Sequence, residues 1–79
     1  MKPTIIFQEF EKLAEKMDIK IIQDKGDFKG SYCLLEKKRI IVVNKLKPLE
    51  QRIQVLGQAF SSLDTSHFYL KPAIRELIE

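Results

Sequence analysis

Apolar residues recur along the first seventeen positions with a helical period. Ile6, Phe10, Leu13 and Met17 share one stripe, Phe7 and Ala14 lie at its edge, and Glu9, Glu11, Lys12, Glu15 and Lys16 face away. The spacing predicts an amphipathic helix over residues 4–17. At Asp18 the period breaks, and the β-branched run Ile19 to Ile22 predicts a short strand closed by the turn-rich Gln23-Asp24-Lys25-Gly26-Asp27. The period then falls to two. Over residues 30–36 Tyr32 and Leu34 point one way and Cys33 and Leu35 the other, and the same alternation recurs over Arg39 to Asn44. These segments predict a hairpin, although Glu36-Lys37-Lys38-Arg39 lacks the Asn-Gly or Asp-Gly signal of a tight turn. Leu49, Ile53, Leu56, Phe60 and Leu63 predict a second helix over 48–63, with Gln51, Gln54, Gln58 and Ser62 on its polar side. A linker from Asp64 to Leu70 leads to a last helix from Pro72 carrying Ile74, Leu77 and Ile78.

Three Lys-Pro dipeptides, Lys2-Pro3, Lys47-Pro48 and Lys71-Pro72, each precede a helical pattern. Proline suits a first helical position, because its fixed φ fits the helix and the N–H it lacks had no partner there. The dipeptides mark three helix starts. The predicted fold is α+β: a small three-stranded antiparallel sheet with two main helices on one face and a short carboxy-terminal helix.

At 79 residues the chain predicts one domain, 1–79. A domain of that size buries only about 60–65% of the surface its unfolded form exposes, so a partner surface or a homodimer would add to a small core. With 44% hydrophobic and 32% charged residues it has the composition of a folded protein. Ile40 to Val43 falls far short of the roughly 20 apolar residues that span a bilayer, and the amino terminus carries no signal-peptide pattern. No membrane partner is expected, and the expected location is cytoplasmic.

Net charge is +3, too small by itself to imply nucleic acid. Its distribution is uneven: over residues 20–54 nine basic side chains stand against four acidic ones, Asp24, Asp27, Glu36 and Glu50. Lys37, Lys38 and Arg39 at the hairpin tip, with Lys45 and Lys47 beyond its far end, are candidates for phosphate contact, and Tyr32 for stacking on a base. Lysines on an edge also serve to discourage strand pairing, and no aromatic pair or strongly basic helix accompanies them.

The helix 48–63 contains Gly57, Gln58 and Ser61 at the spacing of a His-Glu-x-x-His zinc motif, in which two imidazoles one turn apart hold the metal and a carboxylate activates water. Gly57 and Ser61 supply no imidazole and Gln58 no carboxylate. The element order, the pair Val43-Asn44 closing the apolar strand and Arg52 ahead of the motif nonetheless resemble the ImmA/IrrE-type minimal zinc metallopeptidases. The resemblance covers residues 4–63 and implies a minimal zincin-like fold whose active helix has been emptied, hence catalytically inactive, with no metal and no cofactor. The chain is also similar to a group of short bacterial proteins with a Gly-x-Tyr-Cys strand start, here Gly30-Ser31-Tyr32-Cys33, and an ending matched by Tyr69-Leu70-Lys71-Pro72-Ala73-Ile74-Arg75-Glu76-Leu77. That second likeness implies no function.

Two further features are candidates for activity. Cys33, the single cysteine, needs a nearby imidazole or cation to act as a nucleophile, and His67 or Lys37 to Arg39 would supply one; as a small apolar residue on a strand face it needs no such role. The strands are apolar on both faces, whereas a small antiparallel sheet covers one. The second face calls for the terminal segment, a second copy or a partner, and Tyr32, Cys33, Phe68 and Tyr69 form the candidate interaction surface. The leading expectation is a non-enzymatic interaction or structural module, homodimeric or accessory to a larger assembly. The alternative is a weak nucleic-acid binder using the basic hairpin.

Overall fold

A computed structural model describes residues 1–25, 32–35 and 39–79, the second of these segments as backbone only. The protein is α+β, with α1 (Pro3–Lys16), β1 (Lys20–Asp24), β2 (Tyr32–Leu35), β3 (Ile40–Asn44), α2 (Leu49–Ser61) and α3 (Pro72–Ile78). Pro3 and Pro72 open their helices, and Pro48 is the N-cap of α2.

α1 ends without glycine. Asp18 takes the left-handed conformation at φ 58, and the Ile19 and Asp18 N–H groups donate back to Ala14 O at 2.8 Å and Glu15 O at 3.1 Å. This is the paired reversal that usually places glycine at the left-handed position. Aspartate tolerates it better than most side chains. The reversal turns the chain into β1 and buries Ile19.

The strand arrangement departs from the expected antiparallel sheet. β3 lies in the middle, antiparallel to β2 but parallel to β1, in the order β1-β3-β2. Lys20 to Asp24 pair in register with Ile40 to Asn44, and Leu35 pairs with Ile40 across the predicted hairpin. The physical reason lies in the connection: residues 25–31 are chain enough to cover the two strand spacings, about 9.6 Å, that separate β1 from β2. β2 therefore forms at the far side, and β3 returns between its predecessors. A strand with two neighbours reads as a continuous apolar run, as Ile40-Ile41-Val42-Val43 does.

Ile41 and Val43 are fully buried with Phe10, Leu56 and Phe60 in the core between sheet and helices. The Phe10 and Phe60 rings stack at 5.5 Å between centroids and 22° between planes, joining α1 to α2. Ile74 brings α3 into the same core. Ile22, Ile40 and Val42, one position out of step with the buried residues, are half-exposed and lie outside that cluster. All three helices therefore pack on one side of the sheet.

α3 is tied to α1 by Lys71, whose ammonium donates to Glu9 Oε1 at 3.0 Å, with Lys12 at 3.6 Å from the same oxygen. The Lys71 hydrogen bond holds the Glu9 carboxyl below its ordinary value. A carboxylate depressed in the folded state stabilises the fold above its unfolded pKa and loses that contribution as pH falls through the folded one. Lys71→Met is therefore expected to flatten the fall in melting temperature between about pH 5 and pH 3. The contribution of Asp64, depressed by the Ser66 hydroxyl and N–H, remains in that variant. Identical acid limbs for the two proteins would contradict the assignment.

Candidate functional site

On α2 the positions of the zinc motif have separate surroundings. Gly57 is buried against α3: a Cβ built on it would lie 2.4 Å from the Leu77 carbonyl oxygen and 3.0 Å from the carbonyl carbon. Glycine is required here by the close approach of a neighbouring backbone, whatever its cost to the helix, about 1 kcal/mol relative to alanine. Gln58 is exposed and lines an open depression with Pro48, Glu50, Gln51, Gln54 and Val55. The Ser61 hydroxyl donates to Gln58 O at 2.6 Å, within its own helix. The side of α2 that would carry a first imidazole is thus occupied by α3. Among the described residues no group of three or more His, Cys, Asp or Glu stands close enough to hold a metal ion.

Arg52 is a structural clamp. Its Nε donates to Lys47 O at 2.9 Å and one terminal nitrogen to Gln23 Oε1 at 2.7 Å, while the guanidinium carbon lies 6.0 Å from the Phe7 ring centroid. One cation thereby joins β1, the approach to α2, and α1. Asn44 shapes that approach from the other side: it is buried, and its Oδ1 accepts the Leu46 N–H at 2.9 Å in an Asx turn.

The basic residues are dispersed. Arg39 has a left-handed φ of 51, its Nε donates to Asp18 O at 3.1 Å, and a terminal nitrogen donates to Met17 O. Its charge thus sits against the carboxy-terminal carbonyls of α1, where the helix dipole favours a cation. Lys45 and Lys47 are exposed after β3. Lys37 and Lys38 lie outside the described residues, as do the side chains of Tyr32 and Cys33. His67 is exposed in the turn that Asp64 and Ser66 hold together.

Phe68 and Tyr69 do not reach the second face of the sheet. Phe68 packs partly buried on the helical core, and Tyr69, 78% exposed, borders a small pocket with Glu9, Lys12 and Ile74. The outer face retains its apolar middle, Ile22 beside Val42 in register, with Ile40 next along β3.

A second feature escaped the sequence reading. β1 ends the sheet, and among the described residues it pairs with β3 alone. An open groove of about 630 Å³ lies across the starts of β1 and β3, bordered by Lys20, Ile21, Arg39 and Ile40 and on the α1 side by Glu11, Ala14 and Glu15. The signal was present in the sequence, since Lys20 and Asp24 cap an apolar strand with opposite charges. No protein-family model, curated protein or solved structure matches the chain.

Proposed function

We propose that this chain is a non-enzymatic interaction module that offers one face of its sheet to another protein surface. The observation that supports the reading is the set Ile22, Ile40 and Val42, apolar and half-exposed on the side away from every helix. Apolar side chains on the unpacked face of a small sheet favour association, because their transfer from water contributes roughly 25 cal/mol per Å². The packing of α3 over Gly57 fits the same reading, in which a helix of zincin-like ancestry serves as framework.

The test is the mass in solution of the whole chain and of Val42→Lys, alone and in fractionated cell extract. The chain should run above its monomer mass of 9.3 kDa in at least one setting. Val42→Lys should return it to the monomer with its circular dichroism spectrum retained, since Val42 lies outside the core. A chain at monomer mass in both settings, or one indifferent to the substitution, contradicts the reading.

A further inference from the structure

We propose that the chain pairs with a second copy of itself along the open edge of β1, joining two three-stranded sheets into one about a twofold axis at Ile22. The inference names the partner for the interaction reading above and rests on it: Ile22, at the axis, is the in-register neighbour of Val42 on the same face, so Val42→Lys is expected to weaken the pair as well. Two features of β1 carry it: the direction of its backbone groups and the order of its charges.

The Lys20 N–H donates to Arg39 O at 2.9 Å, and Asp24 O accepts from the Lys45 N–H at 3.0 Å. In a parallel ladder a residue directs both its backbone groups to the same neighbour, and alternate residues direct theirs the other way. Lys20, Ile22 and Asp24 therefore bond toward β3. Ile21 and Gln23 turn their N–H and C=O outward, where no described residue pairs with them. An antiparallel second β1 with its axis at Ile22 sets Ile21 opposite Gln23 of the second copy. Each such pair exchanges both N–H···O bonds, so every outward group on the edge is satisfied.

The same register acts on the side chains. Lys20, Ile22 and Asp24 share the outer face, and reversing the strand places Lys20 opposite Asp24 of the second copy, with Ile22 opposite its own equivalent. These are the non-hydrogen-bonded positions, where facing side chains stand closest. Two ion pairs then flank an apolar contact. Sliding the strands by two residues faces Lys20 with Ile22 and loses both pairs, so the charges select one register. The outer apolar faces of the two copies become continuous through Ile22.

The test uses sedimentation of the full chain with Lys20→Asp and Asp24→Lys, both at exposed positions. Each substitution sets like charges opposite each other and should weaken self-association at least about tenfold. Mixing the two variants restores opposite charges at both pairs and should recover a heterodimer. Ile22→Cys in a Cys33→Ser background adds a readout independent of charge, because facing Cα atoms at about 4.5 Å fall within disulfide reach. Mild oxidation should give a covalent dimer. Three results overturn the proposal: a monomer at every concentration, a dimer indifferent to both charge variants, or a mixture no stronger than its components. A dimer that Val42→Lys dissociates and the charge variants do not would leave the interaction reading standing and remove the β1 edge. If a charge variant loses its fold, the disulfide decides alone.

Discussion

Histidine at position 57 is expected to unseat α3 and cost the fold about 3 kcal/mol or more. The first atom of any side chain there meets the Leu77 backbone at 2.4 Å, and a backbone carbonyl within a helix has no rotamer by which to withdraw. Alanine isolates the effect. It gains up to about 1 kcal/mol of helix propensity, yet overpacking of this kind costs about 1–3 kcal/mol, so a net loss remains. Histidine adds a ring with nowhere to go. Denaturant titration of Gly57→Ala and Gly57→His measures both losses, and hydrogen exchange at residues 74–78 reports whether α3 has left. If Gly57→His melts with the parent, α3 does not hold that face closed, and the account of α2 as framework fails with it.

Phe60→Ala should remove about 3–5 kcal/mol, enough to leave a domain of this size largely unfolded at room temperature. Phe60 is fully buried, stacks on Phe10 and stands among Ile41, Leu56 and Val43, so the vacated volume opens where both main helices meet the sheet. Phe60→Leu separates volume from aromatic contact. It keeps most of the packing and should cost about 1.5 kcal/mol or less beyond the lost stacking. A double-mutant cycle with Phe10→Leu then reads the ring–ring coupling directly. An alanine variant with a midpoint close to the parent's would show that this pair does not centre the core.

Helices were the legible part of this chain because their signals are local. A stripe such as Ile6, Phe10, Leu13 needs only its own neighbours, and Lys-Pro marks a start by the chemistry of one ring. The sheet was legible as strands and as the hairpin, but its order was not. Parallel pairing of β1 with β3 depends on where β2 lies, and alternation within a strand carries no information about its neighbour. The end of α1 escaped for another reason. Asp18 fills a position that sequence patterns reserve for glycine, and the cation that completes it, Arg39, comes from 21 residues away. Arg39 read from sequence belonged with Lys37 and Lys38 as a basic tip, since nothing local shows a guanidinium turned back onto a helix. Gly57 was visible as a motif position without its imidazole, and its partner Leu77 was not.

The middle strand is the last of the three to be synthesised. A nascent chain that has reached Leu35 holds β1 and β2, which make no ladder with each other, and both wait for Ile40 to Asn44. Sheet formation is thus late: β3 has to complete both the hairpin with β2 and the parallel ladder with β1, and the second closes the longer stretch of chain. Until then β1 lacks the one neighbour it has in the folded sheet among the described residues.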